Sequence, residues 1–218
     1  MNPIKSKRIP FAKISERAKE IRDKYNKPKD LVPVPVEHII EAKLGISIIP
    51  AFGLLEETDI EVLFLSDLKT IYIDSAVYGN KNYDKRNRFT LAHELGHFFL
   101  HVNEITKYKF KSAEDWLNFR LNINVQDLEW IERQADEFAG SFLVPSDVLE
   151  TQIFKNKTNI KSFFEKSAKK YDAEELDELL LEGISRLFSD YFMVSMPAIR
   201  TRIKKEYNWP DLKEELLK

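Results

Sequence analysis

Three of the four histidines in this 218-residue chain stand at positions 93, 97 and 101, each one helical turn beyond the last. That spacing predicts a helix, because a 3.6-residue period sets residues four apart on one face. The apolar residues agree: Phe89, Ala92, Gly96 and Phe99 line one side of a helix expected to run to about His101. Within it, His93-Glu94-Leu95-Gly96-His97 puts two imidazoles within reach of one ion, with Glu94 beside them to take a proton from water. A catalytic metal usually takes three protein groups, so whatever fold the chain adopts has to deliver another ligand.

There is no cysteine, which removes disulfides, thiolate metal sites and cysteine nucleophiles together. The missing ligand is therefore a His, Asp or Glu. His101 is the nearest candidate, but it lies a further turn along, and a straight helix cannot fold three rings round one ion. It reads better as a residue behind the ligands that packs or orients them. Glu132 and Asp136 are the stronger pair, because they are four apart and share a face of a second amphipathic helix. Leu128, Ile131, Ala135, Phe138, Phe142 and Leu143 form its apolar stripe, and Pro145 should end it. Glu132 could ligate the ion while Asp136 accepts a hydrogen bond from a liganding ring. The longer H-E-x-x-H-x-x-G-x-x-H pattern is excluded, since Leu100 and Asn103 stand where it needs glycine and histidine.

Around this pair of helices the patterning predicts an α+β chain, mostly helical, with a small antiparallel sheet and a helical C-terminal segment. Ile14, Ala18, Ile21 and Tyr25 recur at helical spacing, as do Val36, Ile39, Ile40 and Leu44 before Gly45. Pro28, Pro33 and Pro35 mark the loop between them. Short β-rich runs follow at 46–49, 61–65 and 70–74, with residues 66–69 short enough for a hairpin turn. The polar stretch from Tyr78 to Arg88 reads as a loop. Residues 102–127 form an unusually long connection, in which Ser112 and Asp115 resemble a capping box before a short inserted helix. Ser146 is a candidate cap for the next helix. Beyond it, Leu176, Leu180, Ile184, Leu187 and Tyr191 form a helical stripe. The length suits one or two domains, and we expect them at 1–154 and 155–218.

The net charge of −2 gives no global field to hold nucleic acid or an anionic membrane. The basic stretch from Met1 to Phe11 leads into no apolar signal-peptide core, and no run approaches the length of a membrane span. A cytoplasmic enzyme or regulator without a membrane partner is the expectation.

The motifs also resemble a known family, the ImmA/IrrE metallo-endopeptidases. The resemblance lies in Arg88-Phe89-Thr90-Leu91-Ala92 with the five motif residues after it, in Glu132-Arg133-Gln134-Ala135-Asp136-Glu137-Phe138-Ala139, and in Leu143-Val144-Pro145. A third piece, Phe192-Met193-Val194-Ser195 with Ala198 and Arg202-Ile203, is similar to that family's downstream helix-turn-helix-like segment, so that the likeness runs from about 12 to 207. The resemblance implies a zincin-like, gluzincin-type core in which His93, His97 and Glu132 bind one zinc ion, or manganese in its place, and Glu94 is the catalytic base. It implies a protein substrate as well, a helix-turn-helix repressor cut at one site to release phage, mobile-element or stress-response genes. The connection from His97 to Glu132 is longer than that family's pattern, which places an insert where it could cover the cleft, shape partner choice or hold the enzyme latent. Candidate donors to a tetrahedral intermediate are Tyr78, Tyr83 or a residue of the insert, and nothing in the sequence selects among them. Two other readings remain open. One is a DNA-binding regulator in which Arg200, Arg202, Lys204 and Lys205 follow the turn at Met193 and the capping Ser195. The other is an interaction module with a metal that is not catalytic.

Overall fold

A computed structural model describes residues 7–218, so the first six residues of the basic N-terminal stretch lie outside the described residues. The chain divides into two compact units, the first ending at Phe142 and the second spanning Leu143–Lys218. Among the described residues no helix is long and apolar enough to cross a membrane.

In the first unit, α1 (Phe11–Tyr25) buries Ile14, Ala18 and Ile21, the stripe its sequence predicts. A short helix α2 (Val36–His38) runs into a π-turn, Ile39–Lys43, and Gly45 leaves it at φ +67°, a conformation that costs glycine no Cβ strain. Three strands follow, β1 (Ser47–Ala51), β2 (Val62–Phe64) and β3 (Thr70–Asp74), with the five-residue helix α3 (Leu54–Thr58) between the first two. The hairpin joining β2 to β3 is where the sequence puts it. Asp67 Oδ1 accepts from the backbone N–H groups of Lys69 and Thr70 at 2.8 and 3.0 Å, which folds the turn.

The sheet is mixed rather than wholly antiparallel. Its order is β1-β3-β2, with β3 antiparallel to β2 and parallel to β1. The reason is positional: β3 carries Ile71 and Ile73, exposed by 1% and 0%, and takes the central place that buries both. The excursion through α3 then lets β1 reach the far side of β3 running the same way.

Helix α4 (Asp84–Leu100) starts earlier than its apolar stripe suggests, because Asn80 caps a 3₁₀ turn at Lys81–Tyr83 that leads straight into it. The long connection after it holds two helices, α5 (Val102–Tyr108) and α6 (Ala113–Asn122). Ser112 caps α6 by accepting from the Asp115 N–H at 3.2 Å, while Asp115 accepts from the N–H of Lys111 at 2.9 Å. Helix α7 (Val125–Leu143) then returns beside α4. Of its predicted stripe, Ala135, Phe138, Phe142 and Leu143 are at 0% exposure and Ile131 is buried, while Leu128 near the start of the helix is half-buried.

In the second unit, α8 (Ser146–Lys155), α9 (Lys157–Ser167), α10 (Ala173–Phe192), α11 (Met196–Glu206) and α12 (Trp209–Leu217) follow one another. Ser146 is the first residue of α8 rather than its cap, and its hydroxyl meets Arg202 at 3.1 Å. The buried seam of α10 keeps four-residue steps through Leu180, Ile184, Phe188 and Phe192, leaving Leu187 and Tyr191 at 46% and 41% exposure. Between α10 and α11, Met193 adopts φ +52° and Ser195 accepts from the Ala198 N–H at 3.3 Å, as the turn residues predict.

Helices α4 and α7 meet at Gly96. A Cβ there would lie 2.9 Å from the Ala135 Cα, 3.0 Å from its carbonyl oxygen and 3.2 Å from the Phe138 Cβ. Gly96→Val therefore sets a helix-propensity gain of less than about 1 kcal/mol against overpacking of about 1–3 kcal/mol on a backbone that must move. The expected outcome is a melting temperature lowered by several degrees, read by calorimetry. An unchanged melting temperature would show that the two helices have room to part.

Candidate metal centre

The contact at Gly96 decides what faces what. One turn of α4 presents His93 and His97 toward α7, and α7 answers with Glu132 and Asp136 one turn apart. His93 Nε2 lies 2.9 Å from His97 Nε2 and 3.1 Å from Glu132 Oε2, and His97 Nε2 lies 3.7 Å from Glu132 Oε1. Ligand atoms about 2.0–2.1 Å from one tetrahedral ion stand roughly 3.3 Å apart, which is the scale of this triangle. These three residues form a group that could hold a metal ion.

Hydrogen-bond accounting fixes what the triangle contains. His93 Nδ1 is 2.8 Å from Asp136 Oδ1, and a carboxylate accepts, so that nitrogen carries the proton. The other ring is settled by a longer chain of contacts. Gln134 Nε2 donates to the Lys7 carbonyl at 3.0 Å, so its Oε1 faces His101 Nε2, at 3.4 Å. His101 Nε2 must then donate, which leaves His101 Nδ1 as an acceptor for His97 Nδ1–H at 3.1 Å. Both rings thus have Nδ1 held by a partner, and both Nε2 atoms turn toward the Glu132 carboxylate. With no ion, a proton on His93 Nε2 bridges to Glu132; a metal cation would take that proton's place.

The electrostatics show that the triangle favours positive charge. Burial pushes the His93 imidazole down, but its hydrogen bonds with Asp136 and Glu132 outweigh this and raise its pKa to about 10. Burial opposes ionisation of Glu132, yet the two imidazoles hold its pKa far below the usual carboxylate range. Glu132 Oε1 is also buried with no hydrogen-bond partner. A buried carboxylate oxygen left unpaired beside two imidazole nitrogens marks a position that a positive charge completes. His101 behaves differently: burial first, then the neighbouring His97, lowers it to about 3, so it stays neutral and able to accept.

Glu94 is 9% exposed and lines the same cavity as the triangle, about 510 Å³ in volume. Burial raises its pKa against the opposing pull of His97 and His93. The cavity is also bounded by β2, α3 and the inserted helices, and Phe110, Trp116 and Phe119 belong to its wall. Neither Tyr78 nor Tyr83 lines it; Tyr78 has its pKa raised by burial and by Glu37 and Glu41 instead. Sequence reasoning missed Gln134, whose helical position is off the Glu132–Asp136 face, and the three insert aromatics, which carry no motif.

The basic residues proposed for nucleic acid are placed differently in the second unit. Arg202 is 2% exposed and pairs with Glu206, while Arg200 and Lys204 share Glu178. Lys205 lies on the same helix, α11, with an exposed side chain.

Residues 77–204 match the peptidase family described as the IrrE N-terminal-like domain, a span that contains the triangle, Glu94 and Gln134. No curated protein matches the chain.

The hydrogen-bond chain behind His97 makes a prediction of its own. The protein should take up one equivalent of zinc, and Glu132→Ala should lose it. Gln134→Leu should bind zinc about 10–100-fold more weakly in chelator competition, because nothing then holds the His101 proton away from His97. Unchanged affinity in the Gln134 variant would mean that the tautomer of His97 is set elsewhere.

Proposed function

The chain belongs to the IrrE N-terminal-like peptidase family, and from that premise we propose that it is a zinc-dependent endopeptidase that cuts a helix-turn-helix repressor at one site. The observation that carries the metallopeptidase reading is the convergence of two imidazole Nε2 atoms and an orphaned carboxylate oxygen, with a buried acid lining the same cavity.

His93, His97 and Glu132 would hold the ion, and Asp136 and His101 would keep both rings in the liganding tautomer. A bound zinc ion supplies Lewis acidity, polarising a scissile carbonyl and making water a stronger acid. Glu94 accepts the proton from the attacking water at its carboxylate and later gives it to the leaving nitrogen. Its burial suits both halves of that task, because a carboxylate made more basic takes up a proton more readily and holds it until the amine departs.

An extended substrate has a backbone to pair with. Leu65 donates to Thr70 O and Asp74 to Glu61 O, so residues 61, 63 and 65 face β3. The N–H and C=O groups of Val62 and Phe64 consequently face the other way, along an edge whose residues line the cavity. The repressor as substrate, and release of phage, mobile-element or stress-response genes as outcome, rest on the family resemblance.

Glu94→Gln is the direct test. It should keep one zinc per chain and lose about 10²–10⁴-fold in cleavage of helix-turn-helix repressors from the same organism, tested as purified proteins and followed by mass spectrometry of the fragments. Full cleavage by the Glu94 variant would end the mechanism, and repressors all left intact by the wild-type enzyme would end the substrate assignment.

A further inference from the structure

The inserted helices leave one wall of the cavity unexplained by metal binding. Phe110, Trp116 and Phe119 meet pairwise with ring centroids 4.9–5.4 Å apart, as an aromatic cluster. Trp116 packs in turn against the buried Leu54, Ile60, Leu63 and Leu65. The insert is also pinned to the sheet. Ser66 N–H donates to Phe110 O at 2.9 Å, and Ser66 Oγ donates to Ile105 O at 2.8 Å, immediately past the end of β2. A cluster held this way is preformed, so a ligand would not have to order it.

We infer that this aromatic wall is a specificity pocket that receives one large apolar side chain of the substrate, next to the bond that is cut. The inference rests on the peptidase reading above and adds the chemistry of the residue selected. Three observations fix the occupant. The wall and the His93–His97–Glu132 triangle line one continuous cavity, so a group held by the first lies beside the second. Its volume of about 510 Å³ holds a few residues of chain and no folded surface. The free edge at Val62 and Phe64 leads into it, and Phe110 closes that edge at Ser66 by taking the next outward N–H. A strand added to this edge is stopped there, with a side chain against rings and against Ile105 and Ile131.

The test has two arms. Zinc-loaded protein is given a proteome-derived peptide library, and the residues flanking each cut are read by mass spectrometry. Large apolar residues should be enriched about tenfold or more at a single position beside the cut. Trp116→Ala should change the preference at that position alone, and Phe119→Trp, which fills the pocket, should move it toward smaller apolar residues. A uniform fall in all cleavages with the preference intact would mean that the rings are merely structural, and would overturn the assignment.

The second arm needs no turnover. Capped Gly-Phe-Gly and Gly-Asp-Gly peptides are titrated into metal-free protein while the indole N–H resonance of Trp116 is followed by NMR. The phenylalanine peptide should shift it and the aspartate peptide should not. Equal responses overturn the pocket. A selective response with no library cleavage supports the pocket and sinks the peptidase reading instead.

Discussion

At Gly96 the backbone of α7 lies against α4 as closely as two helices without an intervening side chain allow, with the Ala135 Cα 2.9 Å from where a Cβ would stand. The candidate metal site is positioned by that contact. Glu132 lies almost one turn before Ala135 and Asp136 directly after it, while His93 lies almost one turn before Gly96 and His97 directly after it. Two short side chains and two rings can then meet without either helix bending. A wider separation would leave the carboxylates hydrogen-bonded to water and the rings facing an empty gap. The glycine inside the motif is thus a packing requirement of the ligand set, in addition to any role on its own helix.

The same contact sorts the acids by environment. Asp136, with 58% of its side chain exposed, keeps contact with water while it accepts from the His93 Nδ1–H. Glu132 shares its two oxygens among two imidazoles and keeps one of them unsatisfied. Glu94 is buried and made more basic by that burial. Glu132 and Glu94 therefore differ in how readily each takes a proton. A site whose acids were equally exposed would have no such division, and the assignment of roles would rest on sequence position alone.

Much of this was legible before any coordinates. A four-residue repeat of imidazoles can act together only on a helix, and the absence of cysteine left few alternatives for the remaining ligand. The apolar stripe of α7 then aimed Glu132 and Asp136 in a known direction. The relay through Gln134 was not legible, because a lone glutamine has no periodic partner and its significance depends on the Lys7 carbonyl, 127 residues away in sequence. The sheet was read correctly in its hairpin, which is local, and not in the parallel pairing of β1 with β3, which is not. The seam of α10 failed in a similar way, since Leu187 and Tyr191 satisfy a helical period as well as Phe188 and Phe192 do, and only tertiary packing chooses between them.

The insert between α4 and α7 ties assembly of the site to recognition. Because α5 and α6 form the connection between the two ligand-bearing helices, the segment that carries the chain round to Glu132 also builds the wall opposite it. Pinning that segment to the end of β2 fixes three things at once: where the free edge stops, where the aromatic rings stand, and from where α7 sets out toward Gly96. A chain with a shorter connection could still close the triangle, since the helix contact alone does that. It would do so without the aromatic wall, leaving the cavity open along the β2 edge. On the proposed reading, this connection serves the substrate as well as the candidate ligands, in a place where the geometry of the aromatic wall is tied to theirs.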